Sequence, residues 1–199
     1  MKQSKTSKRN LHSEQSLTTH NNRTTVEHNN NERETAMGYT HYWDRPVSNA
    51  GSAYMFGKLA LDAKSICDWA NDNGMRIRNG FGEGEPEFTE FYFSINGDAQ
   101  ADSDYSYETF RWEGIPTQPE WRQDEREYFD FCKTARQPYD AVVTAILIRA
   151  KHIYGSCVSV SSDGDWQNWS AGRTVYELVF GETAECPFDK ATTNNEGEQ

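Results

Sequence analysis

The sequence predicts an α+β protein, with a single mixed or antiparallel sheet and about three helices packed on it. Three observations carry this reading. Short segments with alternating apolar residues follow one another between 76 and 132 without a helix between them, the pattern of hairpin-linked strands. Three stretches, near 49–72, 138–155 and 166–180, instead carry apolar residues at helical spacing. Strands joined to helices therefore stand beside strands joined to strands, which separates the chain from doubly wound α/β proteins.

Each element has its own reason. From Gly38 to Trp43, residues Tyr39, His41 and Trp43 share one face, Thr40 and Tyr42 share the other, and Pro46 ends the strand. Ser48 or Asn49 can cap a helix running to about Asp72, with Met55, Leu59, Ala63, Ile66 and Ala70 as its stripe and Asn73-Gly74 as its stop. "MRIRN" alternates as a short strand. After the glycines of "NGFGEGEPE", a strand from Phe88 to Ile95 is expected to place Phe91, Phe93 and Ile95 on one face. Its antiparallel neighbour runs from about Tyr105 to Trp112. Thr117 to Arg126, with Pro119, is a polar connection, and Tyr128 to Cys132 follows as a strand with Phe129 and Phe131 expected inward. Pro138 suits the first turn of the next helix and Gly155 its end. Between them "AVVTAILI" is apolar nearly all round, which marks the most buried helix. Cys157 to Ser161 reads as a strand, "SSDGD" as a turn, and a helix from about Trp166 is stopped by Gly181.

The domain is expected at 37–187, between polar ends at 1–36 and 188–199 that lack the apolar content to offset their ordering entropy. The net charge of −11 belongs to that domain, which holds 13 Lys/Arg against 24 Asp/Glu. An acidic field repels phosphates, which argues against non-specific nucleic-acid binding. No apolar run approaches the roughly 18 residues of a membrane span, and the lead-in lacks the apolar region of a secretory signal. Cys67, Cys132, Cys157 and Cys186 show neither CxxC spacing nor the density of a disulfide scaffold, so free thiols in an intracellular protein are expected.

"FCKTA" sets Lys133 and Thr134 between a strand and a helix, as phosphate loops do, but the glycines that would cradle phosphates are missing. A phosphatase-type loop fails because Pro138 stands where Cys132 would need an arginine. What remains is positional: Lys133, Thr134 and Arg136 precede a helix whose free amides and positive dipole end favour an anion. The alternative is that Lys133 and Arg136 only pair with carboxylates of an acidic domain. In "SSDGDW", Asp163 and Asp165 suit a turn and cap, with a metal-ligand or general-base carboxylate as the functional alternative. Asp98, Asp102, Asp104 and Glu108 do not follow the calcium-loop spacing and read as a solvated hairpin loop. His41, between two aromatics on one face, is either a hydrogen-bonded packing residue or an acid–base group. His152, beside Lys151, is explained by the helix dipole. With no third histidine in the domain and no paired cysteines, neither a metal nor another cofactor is expected. Cys132 is read as a buried thiol rather than a nucleophile.

Four segments in order, "MGYTHYW", "INGDAQADSDYSYETF", "FCKTARQPYD" and "SSDGDW", make residues 37 to about 181 resemble a family of small proteins common in bacteriophage and prophage genomes. The resemblance carries no reaction over. It implies a phage or mobile-element origin, a start at Met37 with residues 1–36 as an extension, and a place in the cytoplasm of the bacterial host. The polar positions it matches are Thr40, His41, Asn96, Glu108, Thr109, Lys133, Thr134, Arg136, Tyr139, Asp140 and Asp163.

The leading expectation is a soluble phage-type accessory protein that binds a small anionic or nucleotide-like ligand. Lys133 and Arg136 would meet negative charge, and His41 and Tyr139 would add polar and stacking contacts, with Glu108 and Asp163 counted in the same site. A second expectation is an enzyme in which His41, Glu108 or Asp163 acts as general acid or base. A third is an acidic interaction protein that blocks a basic surface of a host factor. The first two need a concave site with convergent polar groups, the third a continuous acidic face.

Overall fold

Alternation along the first strand decides how the chain is layered. In the computed structural model, which describes residues 38–46, 52–101, 105–116 and 127–189, all within the unit Glu34–Gln199, strand β1 spans Thr40–Pro46. His41, Trp43 and Arg45 are buried on one face, as is Tyr39 just ahead of them, while Tyr42 and Asp44 are half-buried on the other. β1 is the centre of a three-stranded antiparallel sheet, flanked by a strand at Glu127–Lys133 and another at Ser159–Ser162.

A second antiparallel sheet is built from short strands: β2 (Ile77–Arg78), β3 (Glu87–Phe88), β4 (Tyr92–Gly97) and β5 (Phe110–Glu113). All three others pair with β4. The flanking strands of the first sheet are β6 (Glu127–Lys133) and β7 (Ser159–Ser162). Three α-helices complete the described residues: α1 (Ser52–Asp72), α2 (Asp140–Tyr154) and α3 (Ser170–Phe180). The α+β class, the three helices and the antiparallel pairing follow the sequence pattern, and the strands divide into two sheets. No helix among the described residues is long and apolar enough to cross a membrane.

α2 is the core. Every residue from Ala141 to Ala150 is buried, as the unbroken apolar run predicts. Its one internal charge, Arg149, is compensated: its Nε donates to Asp62 on α1 at 2.7 Å, and its Nη1 donates to Glu182 at 3.2 Å and Tyr176 at 3.4 Å. A buried cation with such partners avoids the desolvation penalty that an unpaired one would carry. α1 packs through Leu59, Ala63, Ile66 and Ala70, all fully buried. Gly155 and Gly181 close α2 and α3 at positive φ, the conformation that glycine adopts most easily.

Two side-chain assignments are corrected by the fold. Phe91 does not share a buried face with Phe93 and Ile95. Thr89 closes a tight turn by taking the amides of Phe91 and Tyr92 on its hydroxyl, so Phe91 stands at a hairpin tip and is 69% exposed. Phe129 and Phe131 do not point inward. Register pairs Cys132 with His41 and Phe131 with Tyr42, so alternation sends Cys132 to the core and both phenylalanines to the outer face, where they lie near the Tyr42 ring.

The folded part also runs past 187. Phe188 packs edge-on against Trp169 and Asp189 takes Lys151. The helix cap at Ser48 or Asn49, the connection 117–126, and the ends at 1–36 and 190–199 lie outside the described residues.

Candidate functional site

Two strand–loop–helix units meet at the start of β1. Thr40 pairs with Lys133 at the end of β6, and His41 pairs with Ser162 at the end of β7. β6 leads into α2 and β7 into α3, so the loops at 134–139 and 163–169 converge on the same two residues.

His41 is fully buried at that junction. Its Nε2 lies 2.7 Å from Asp140 Oδ1 and its Nδ1 lies 3.0 Å from Ser162 Oγ. The proton positions follow from Ser162. Its Oγ accepts the Gly164 N–H at 3.0 Å and the Trp169 indole N–H at 3.3 Å, which occupies both lone pairs. The hydroxyl proton therefore goes to His41 Nδ1, and the imidazole proton sits on Nε2, facing Asp140. Asp140 Oδ1 also accepts the Thr134 hydroxyl at 2.5 Å. Tyr39 and Trp169 hold the ring edge-on from either side, each centroid 5.0 Å away.

Ser162 Oγ, both His41 nitrogens, the Thr134 hydroxyl and Asp140 Oδ1 are thus all bonded inside the protein. Ser162 Oγ already carries two N–H donors and His41 is fully buried between Tyr39 and Trp169, so both side chains are tied into the packing of the junction. The network has a positioning role: it fastens β1 to β7, to the β6–α2 loop and to the starts of α2 and α3.

The other sequence-selected residues lie around this junction in different roles. Asp163 is exposed and accepts the Thr40 amide at 2.9 Å and the Tyr42 hydroxyl at 3.1 Å. Asp165 takes the amides of Gln167 and Asn168, the turn role that "SSDGDW" suggests. Glu108 is clipped to the end of β6, its Oε2 accepting the Lys133 amide at 2.9 Å while its own amide donates to Lys133 O at 3.2 Å. Tyr139 does not stack on anything from outside. It is fully buried, burial pushes its hydroxyl pKa well up, and that hydroxyl donates to Glu108 O at 2.7 Å. Asn96 and Thr109, also matched positions, clasp Gly80 and Tyr107 backbone.

Lys133 and Arg136 stand apart from these acceptors. Lys133 Nζ lies 5.4 Å over the Tyr107 ring and the Arg136 guanidinium 3.9 Å over Tyr39. Arg136 is exposed. It follows Ala135 in a pair of left-handed residues, φ 50° and 59°, a conformation costing roughly 1–2 kcal/mol for each non-glycine residue. The loop holds it because the Thr134 and Ala135 amides both donate to Tyr39 O. The amides expected to await an anion are largely spent: Asp140 N–H donates to Gln137 O, and those of Val142 and Val143 to Tyr139 O.

Tyr39, Ser162 and Trp169 belong to the junction and carried no signal in the sequence beyond their place in strand and turn. Thr134 and Asp140 stand in "FCKTARQPYD", but nothing local pairs them with His41. The described residues contain no group of three or more His, Cys, Asp or Glu able to hold a metal. Cys132 is buried, which raises its thiol pKa. Concavities of about 480 and 600 Å³ lie elsewhere, beside His152 and beside Phe56. In comparison with known proteins, no family model, curated protein or solved structure matches the chain.

Proposed function

We propose that the β6–α2 loop binds a small anionic ligand, of phosphate or carboxylate chemistry, and that Arg136 and Lys133 are the cations that meet it. One observation carries the reading: both rest on aromatic rings, and none of the ion pairs among the described residues includes either of them. In a domain with 24 carboxylates for 13 cations, a purely structural role would put them on acids. A guanidinium seated over a ring rather than on a carboxylate keeps N–H groups for contact with an oxyanion. The strained backbone under Arg136 supports the same reading, since such strain persists where surroundings enforce it and gathers at ligand-binding segments. His41, Asp140, Thr134, Tyr139 and Glu108 are positioning residues that hold the loop. On the resemblance of its four segments, the chain is read as a phage-type accessory protein.

The test is calorimetric titration of inorganic phosphate, and separately of a nucleoside monophosphate, into the full chain and into its Lys133→Ala/Arg136→Ala variant. Saturable binding of either by the wild type, lost in the variant, is the expected result. The unfolding midpoint should hold, as exposed charges contribute only about 0–1 kcal/mol. Equal binding by both proteins removes the site, and a fall of several kcal/mol in stability makes the two cations structural.

A further inference from the structure

A concavity of about 600 Å³ lies on other residues and has a different chemistry. We infer that the groove between the first turns of α1 and the β3–β4 hairpin binds a basic segment of a partner protein, one apolar side chain flanked by Lys or Arg. The inference does not depend on the anion site, with which the groove shares no residue.

The groove measures about 600 Å³, room for two or three side chains. Its floor is apolar, with buried Phe56 below, and its rim carries Phe91 and Ile115, each 69% exposed. Large apolar side chains set together on a rim mark a surface that is covered when the protein acts. The walls are preformed. The Gly114 amide donates to Phe91 O at 2.7 Å and ties the hairpin to the end of β5. Gly114 also lets that backbone lie against Phe56, whose ring atom would be 2.8 Å from an added Cβ.

Charge selects the occupant. Arg111 lies 3.6 Å over the Tyr92 ring and its Nε donates to Glu113 at 3.1 Å, so its charge is compensated inside the wall. Glu90, at the exposed hairpin tip, makes no ion pair among the described residues. With Arg111 and Glu113 paired, Glu90 is the lining charge that faces an occupant, in a chain of net charge −11. A Leu- or Phe-sized side chain fits between Phe56 and the rim, and a neighbouring Lys or Arg reaches Glu90. An acidic segment is repelled by both the lining and the field of the whole chain.

The probe is a fluorescent peptide of alternating Lys and Leu, with a twin in which Glu replaces Lys, measured by anisotropy on the full chain. The Lys peptide is expected to bind and the Glu twin not. Phe91→Ser/Ile115→Ser should weaken the Lys peptide by at least about tenfold, the scale of a central interface anchor. Glu90→Lys should weaken it too and improve the Glu twin. All three positions are exposed, so the unfolding midpoints should coincide. Equal affinity for the two peptides, or an unchanged affinity in the double variant, overturns the inference. So does a wild-type dimer, seen by sedimentation, that the double variant abolishes, because the occupant is then a second copy of the chain.

Discussion

His41 Nε2 stands 2.7 Å from Asp140 Oδ1, although the two residues are 99 positions apart in the chain. The pair joins the second residue of the central strand to the first residue of the most buried helix. Both partners are needed because neither reaches water freely: the histidine is fully buried and the carboxylate side chain only 16% exposed.

Replacing Asp140 by Ala should therefore destabilise the fold. The His41 N–H and the Thr134 hydroxyl would both lose their acceptor, and a buried donor left unsatisfied costs about 1–3 kcal/mol. Urea unfolding of the variant measures this. A gain in stability would instead mark the junction as a strained functional site, since such sites are held at a cost to the fold.

Asp130 gives a pH dependence of definite sign. Burial raises its pKa from 3.8 to about 6, offset in part by the Phe131 amide and by Arg45. The folded state then holds the proton more tightly than the unfolded state. Stability falls as pH rises from about 4 to about 6, and the cost is complete above that window. Asp130→Asn cannot ionise and keeps an acceptor for the Phe131 amide, so it should exceed the wild type by roughly 2–3 kcal/mol at pH 7.5, at about 1.4 kcal/mol per pH unit. Below pH 4 the two proteins should unfold together. A variant less stable than wild type at pH 7.5 would show that Asp130 serves Arg45 as a counter-ion.

Ile146 is fully buried in the middle of α2. Ile146→Ala should cost about 2–5 kcal/mol, the range for deleting a large core side chain. A change under about 1 kcal/mol in a denaturant midpoint would put the core elsewhere.

What the sequence discloses is local, and the failures show why. The stripe of Leu59, Ala63, Ile66 and Ala70 and the run "AVVTAILI" identify α1 and α2, because helical spacing is a property of neighbouring residues. β6 carries Tyr128, Phe129 and Phe131, so apolar residues stand on both of its faces. Only the pairing of Cys132 with His41 decides which face turns inward. Phe91 escapes the strand alternation because Thr89, rather than a glycine or proline, makes the turn before it. The candidate site was legible as residue types in "GYTHYW", "FCKTARQPYD" and "SSDGDW". Its wiring was not, because His41 meets Asp140 and Ser162 across 99 and 121 positions.

Gly164 tests whether that wiring is as tight as its distances. A Cβ there would lie 2.4 Å from the Tyr39 hydroxyl oxygen and 2.6 Å from its ring. The ring can shift only against its neighbours: His41 meets it edge-on at 5.0 Å and the Arg136 guanidinium covers it at 3.9 Å. Backbone movement is opposed as well, because Tyr39 O holds the Thr134 and Ala135 amides. Gly164→Ala should thus cost about 1–3 kcal/mol, the usual penalty of overpacking, and should displace Arg136, weakening the binding of inorganic phosphate. Gly57→Ala is the control. Gly57 is exposed in α1 with nothing within 4 Å of an added Cβ, so that change should stabilise by about 0.4–1 kcal/mol. Thermal unfolding of the two variants should therefore move in opposite directions. A Gly164→Ala protein that melts with the wild type would mean that Tyr39 yields, and that the aromatic seat of Arg136 is looser than the site requires.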